Sequence, residues 1–130
     1  MIKNVLILLV AIVAFSSCKK KKILEDINGV WHVESLTLDG EDDPRDVSGT
    51  YTFNDCSSKE NRKGDCTVRQ QLLIEFGGAS QETDNELVYR VLKKGEMIQL
   101  DDSEVEIDID GDKLTLTFND EEVTVINLVR

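Results

Sequence analysis

The chain has 130 residues, 40% of them hydrophobic, and a formal net charge of -11. That length holds one small domain once a leader is removed. From Ile23 to Arg130, 26 acidic residues stand against 10 basic ones, a net charge near -16. A field of that sign repels phosphate backbones and makes nucleic acid a poor partner. The acidity otherwise reads as a means of staying soluble.

The first segment in chain order is a leader. Lys3 precedes an eleven-residue apolar run, Val5 to Phe15, and Ser16-Ser17 place small residues directly before Cys18. A charged start, a short apolar stretch and a small-residue cleavage site predict a signal peptide over residues 1–17. The run is too short to span a bilayer, which takes roughly 20 residues. A cysteine at the first mature position resembles the lipobox of bacterial lipoproteins, with Phe15 where many examples carry Leu. The resemblance implies that Cys18 is diacylated and holds the protein on a membrane. Lys19-Lys20-Lys21-Lys22 follow as a basic tether, and residues 18–28 are expected to be this tether plus a short helical turn at Lys22–Ile27. Surface-exposed lipoproteins of the Bacteroidetes type carry acidic residues at that point instead. The lysines thus imply retention in the cell envelope on the periplasmic side, and the absence of Asp at position 19 implies the outer membrane. The four lysines also suit anionic head groups, at up to ~1 kcal/mol each near such a surface.

Three cysteines are an odd number for an exported protein. With Cys18 assigned to lipid, Cys56 and Cys66 remain as an even pair in an oxidising compartment, and a disulfide is expected. The nine residues between them close a loop for about 2–3 kcal/mol of chain-entropy stabilisation. A metal site is the rival reading. It lacks ligands, since His32 is the only histidine and no CxxC spacing occurs.

The rest of the chain reads as strands, at residues 30–38, 49–54, 66–76, 86–92, 96–101, 104–109, 112–118 and 122–129. Tyr51 and Phe53 share one face, as do Val68, Gln70, Leu72, Ile74 and Phe76. Glu104-Val105-Glu106-Ile107-Asp108-Ile109 alternates strictly, acid out and aliphatic in. Asp110-Gly111 then predicts a type I′ hairpin turn, which needs positive φ at both central residues. Pro44 falls in the Asp39–Asp46 loop, where it interrupts no ladder. Eight short antiparallel strands predict an all-β, up-and-down barrel over residues 29–130, because closure removes exposed edges. A two-sheet β-sandwich is the alternative.

Gly29-Val30-Trp31 opens the first strand, and this GxW resembles the signature of lipocalins. The stretches GVWHVESLTLDG and GTYTFN, and the ending from Asp112 to Arg130, also resemble the lipocalin-like domains of small Bacteroidetes lipoproteins. The resemblance implies that Trp31 closes the barrel floor and that Arg130, just after the last strand, packs across its indole as a cation–π pair. Two departures stand out. Asp110-Gly111-Asp112 occupies the place of the family's Thr-Asp-Tyr turn, and the body is shorter than a full lipocalin.

An eight-stranded interior is either filled or holds one small ligand. Polar handles for a ligand would be few and inward-facing, with Gln70 first and the hydroxyls of Tyr51 and Tyr89 near the mouth next. No nucleophile–base pair is legible, and His32 alternates to the face opposite Trp31. Asp108-Ile109-Asp110-Gly111-Asp112 lacks the closing Glu of a calcium loop, and Asp39-Gly40-Glu41-Asp42-Asp43 reads as solvated. The expectation is a monomeric non-enzyme without cofactor or metal. Two functions follow: binding of a small apolar ligand in the bacterial envelope, as the lipocalin resemblance implies, or a filled barrel presenting the Asp39–Asp46 or Cys56–Cys66 loop to an envelope protein partner, as an inhibitor or assembly module. The bulk of the inward residues favours the second.

Overall fold

The computed structural model describes residues 19–92 and 96–130. The signal peptide expected at 1–17 and the lipidation expected at Cys18 lie outside the described residues. Helix α1 covers residues 19–27. The strands are β1 (Gly29–Leu38), β2 (Glu41–Asp42) and β3 (Asp46–Phe53), then helix α2 (Ser58–Lys63) and β4 (Thr67–Phe76). They continue as β5 (Ala79–Val91), β6 (Met97–Leu100), β7 (Ser103–Asp110), β8 (Lys113–Asn119) and β9 (Val123–Val129).

Each strand from β3 onward pairs antiparallel with the next, and β1 pairs with β3 on one side and β9 on the other. The result is a closed, eight-stranded up-and-down barrel, with β2 added to β1 through Thr37 and Leu38. One continuous closed sheet replaces the two layers of a sandwich. Alternation explains the filling. Trp31, Tyr51, Phe53, Val68, Tyr89, Val91, Ile98, Val105, Leu114, Leu116 and Leu128 are all buried to 1% exposure or less. The acidic partners of β7 point outward. In β1 the register to β9 shifts between Val33 and Ser35. This bulge turns Leu36 back inward, so that Val33 and Leu36 both pack on the core.

Several elements depart from expectation. α1 takes in all of the described lysines of the expected tether, not only Lys22–Ile27, because Lys is a good helix former and Ile23, Leu24 and Ile27 make one apolar stripe. Ile27 and Leu24 are buried, which seats α1 in the core beside Trp31. β5 starts at Ala79, seven residues earlier than the alternation predicts, since its first half is exposed on both faces and carries no apolar period.

The turns also redistribute. Gly111 and Asp112 form the two-residue loop between β7 and β8, and Gly111 has the positive φ (58°), a type II′ arrangement rather than the expected I′ centred on Asp110-Gly111. The I′ turn belongs to Asp39-Gly40, where φ is 50° and 84° and Leu38 pairs with Glu41. Gly49 in β3 has a different reason to be glycine. Its φ is 134°, and a Cβ there would fall 2.0 Å from the carbonyl oxygen of Gln71 on β4.

Gly49→Ala is therefore expected to cost about 1–3 kcal/mol through strain and a broken β3–β4 approach. For a domain of this size that lowers the melting temperature by roughly 4 °C or more. Calorimetry checks it, and an unchanged transition would mean β3 can shift away from β4 freely.

Candidate functional site

The two ends of the barrel differ. One end gathers the start of β1, the β3–β4 connection, the β7–β8 turn and the end of β9. There the indole of Trp31 is fully buried and its Nε1 donates to the carbonyl of Ile27 (2.8 Å), fixing α1 to the first strand. The Arg130 guanidinium lies 4.3 Å from the Trp31 ring centroid. Its Nη1 donates to the carbonyls of Asp26 (2.6 Å) and Asn28 (3.4 Å), and its Nη2 to that of Gly111 (3.4 Å). Asp112 stands 3.6 Å from its Nε. Gly29, at φ 119°, makes the bend from α1 into β1. Gly29, Trp31 and Arg130 thus meet at the floor, and α1 is held against them through its own C-terminal carbonyls.

The same end carries Cys56 and Cys66, at disulfide distance with a Cα separation of 5.5 Å. Helix α2 lies inside their loop. Ser57 caps it, accepting from the Glu60 N–H (3.2 Å) and donating to the Glu60 carboxylate (3.1 Å), and Gly64 ends it in the left-handed region. That Ser-x-x-Glu…Gly pattern is the sequence signal for α2 that strand periodicity hides. Asn61 is the buried residue of α2. Its Nδ2 donates to the Val91 carbonyl (3.1 Å) and its Oδ1 accepts from the Val91 N–H (2.8 Å). β4 begins opposite Val88, so the edge of β5 beyond that point needs another partner. The amide of Asn61 supplies both halves of one ladder rung.

Of the expected ligand handles, Tyr51 and Tyr89 fall in the core and Gln70 at its margin. The Tyr89 ring is fully buried, stacks edge-on against Phe53 at 5.2 Å, and donates its hydroxyl to the Asn54 carbonyl (3.0 Å). Gln70 is half-buried and donates from Nε2 to the Tyr51 hydroxyl (2.6 Å). Tyr51 and Gln70 therefore come together while Tyr89 is engaged separately. Burial raises both phenols; for Tyr89, with Asp55 and Glu60 nearby, the rise reaches about 12. Side chains with so little exposed surface have no water-sized void beside them. The interior around Trp31, Tyr51 and Tyr89 is filled.

The opposite end is looser. Leu36, Leu72 and Phe118 pack on the core but stay partly exposed, and Phe76 is 61% exposed. Beside it an open groove of about 540 Å³ runs between Pro44, Asp46 and the β4–β5 turn. His32 is exposed on the outer face. In the Asp39–Asp46 loop two carboxylates are engaged: Asp39 accepts from the Val123 N–H (2.8 Å), and Asp43 accepts from the Arg45 guanidinium, which holds its carboxyl below the ordinary range. Among the described residues no three His, Cys, Asp or Glu side chains converge as a metal site.

Arg130→Ala is expected to destabilise by about 2–3 kcal/mol, from the lost cation–π contact and the carbonyl bonds. Arg130→Lys restores only part, because an ammonium cannot fork between the carbonyls of Asp26 and Gly111. Trp31 is the single tryptophan, so a red-shifted emission in Arg130→Ala reads the opened floor directly. Unchanged emission and stability would overturn the role given to Arg130. A second measurement uses the two tyrosines. Their folded values lie above the ordinary 10, so their stabilising effect is complete below pH 10 and is lost as pH rises toward 12. Ultraviolet titration should show no tyrosinate before pH 10 and a cooperative loss of structure above it. A normal phenol titrating at pH 10 in the folded protein would contradict that packing. Comparison with protein-family models and with curated proteins finds no match.

Proposed function

We propose that the chain is a lipid-anchored envelope protein whose filled, lipocalin-like barrel serves as a scaffold for contact with another protein. One observation carries this choice over ligand carriage: the interior that a carrier would leave open is occupied by Trp31, Tyr51, Phe53, Tyr89 and their aliphatic neighbours. The polar groups that could orient a ligand are already hydrogen-bonded to one another or to main chain. Fold alone assigns no ligand. The seat of α1 bears on orientation within that reading. Its C-terminal end is fixed to the barrel floor, and its nine described residues span about 14 Å, so an acylated Cys18 ahead of them would keep the floor near the membrane. The looser end, with its loops and the β4–β5 hairpin, would then face away from the lipid.

The experiment has two readouts. Cys18→Ser should move the protein from the membrane to the soluble fraction, and retention on the membrane would overturn the anchor. Native mass spectrometry of that soluble form should give the polypeptide mass alone. A co-purifying apolar molecule would overturn the scaffold reading in favour of carriage at the loose end.

A further inference from the structure

We infer that the outer edge of β5, from Ser80 to Glu86, is a strand-addition site for an extended, lysine- or arginine-alternating segment of another protein. This rests on the protein-contact reading above and names the surface and the chemistry of the partner. β5 has thirteen residues, and ten of its register positions pair with β4, whereas β6 engages only Tyr89, Arg90 and Val91. Among the described residues, 79–87 have no strand on the side away from β4.

The direction of the free groups follows from the last bonds before the gap. Val88 donates its N–H to Asp101 Oδ1 (2.9 Å), and its carbonyl accepts from the Asp101 N–H (2.8 Å), on the side away from β4. The Tyr89 N–H points the other way, to the Cys66 carbonyl (2.9 Å). Antiparallel alternation then sends the N–H and C=O of Ser80, Glu82, Asp84 and Glu86 outward together. Four residues in register thus offer ladder groups that are unpaired among the described residues, and each is exposed. Strand addition recognises such an edge through the main chain and draws specificity from alternate side chains.

Charge selects the occupant. The side chains of Glu82, Asp84 and Glu86 lie on one face, opposite Leu73, Gln71 and Arg69 of β4. Arg69 holds Asp84 through Nε (3.0 Å) and Nη2 (2.8 Å), which leaves Glu82 and Glu86 to meet a newcomer. A second copy of this chain would set these carboxylates against each other, and like charges opposite across a ladder destabilise it. The acidic row therefore blocks self-pairing. It favours a strand that brings basic side chains to the face shared by Glu82 and Glu86. The face beside it, with Ala79, Gln81, Thr83 and Asn85, accepts small or polar residues.

The test uses the full mature chain carrying Cys18→Ser and a capped peptide of roughly ten residues alternating lysine with threonine and valine, long enough to span the edge. In low salt, the amides of Ser80, Glu82, Asp84 and Glu86 should shift and exchange more slowly on addition of the peptide. Its lysine-to-glutamate counterpart should leave them unchanged. Glu82→Pro removes an outward N–H without touching the β4 ladder and should abolish binding. Glu82→Lys with Glu86→Lys, which keeps the backbone intact, should weaken it by roughly tenfold or more, equivalent to about 1.4 kcal/mol. Equal binding of both peptides, shifts centred elsewhere, or undiminished binding to the double lysine variant would overturn the assignment. Photo-crosslinking in the native envelope separates the two levels. A protein captured from Thr117 on β8 but not from Gln81 overturns the edge and leaves the scaffold reading standing. No capture from either position, together with an unresponsive edge, overturns both.

Discussion

The contact between Arg130 and Trp31 is the constraint on which the barrel depends. It brings the residue after the last strand onto the third residue of the first strand, and it sits at the point where β1 and β9 join. The indole contributes a large apolar face to the core and a single N–H, which it spends on Ile27. The guanidinium covers the other face and satisfies carbonyls from α1 and from the β7–β8 turn. Three separate pieces of chain thereby share one planar side chain. Removing Ile27's carbonyl from this arrangement would leave the buried Trp31 N–H without a partner, which costs more than the bond itself contributes.

Closure at the floor goes with a filled interior around Trp31, Tyr51 and Tyr89. Eight strands enclose a space about as wide as paired large side chains, and the buried aromatic residues Trp31, Tyr51, Phe53 and Tyr89 lie toward the pinned end. The looseness is displaced to the far end. There β5 outruns β6, and the β4–β5 hairpin carries residues exposed on both faces. A small acidic domain can tolerate such an arm because its charge discourages edge pairing between copies.

Much of this was legible in the residues. GxW at Gly29–Trp31 and the arginine after the last strand located the floor, and period-two alternation located β3, β4, β7, β8 and β9. The cysteine pair was reachable by counting. What escaped had specific causes. The first half of β5 is polar on both faces, so the alternation that marks a half-buried strand is missing there. Helix α2 is six residues long and its stabilisation comes from caps, a disulfide loop and one buried amide. Asn61 could not be singled out, because its task of completing a rung for Val91 exists only once the β5 edge is known. The hairpin at Asp110-Gly111 is legible but its turn type is not, because strand register decides which residues become central and here makes them Gly111 and Asp112. Tyr51 and Tyr89 were placed on the inner face, but alternation gives no depth along the barrel, so their burial could not be read.

Barrel closure also bears on the order of folding. Trp31 and Arg130 are 99 positions apart, and Ser35 bonds Asn127 across 92 (3.0 Å). The hairpins β4–β5 and β7–β8–β9 close over short loops and can form early, whereas the β1–β9 seam carries the largest loop-closure cost and comes last. Until that seam forms, β1 and β9 are open edges, and β9 carries Val123, Val125, Ile126, Leu128 and Val129. A chain emerging from its first residue onward thus passes through an interval in which β9 is held by β8 alone and its other edge is open. The finished core gives that edge no cover; only closure of the β1–β9 seam does.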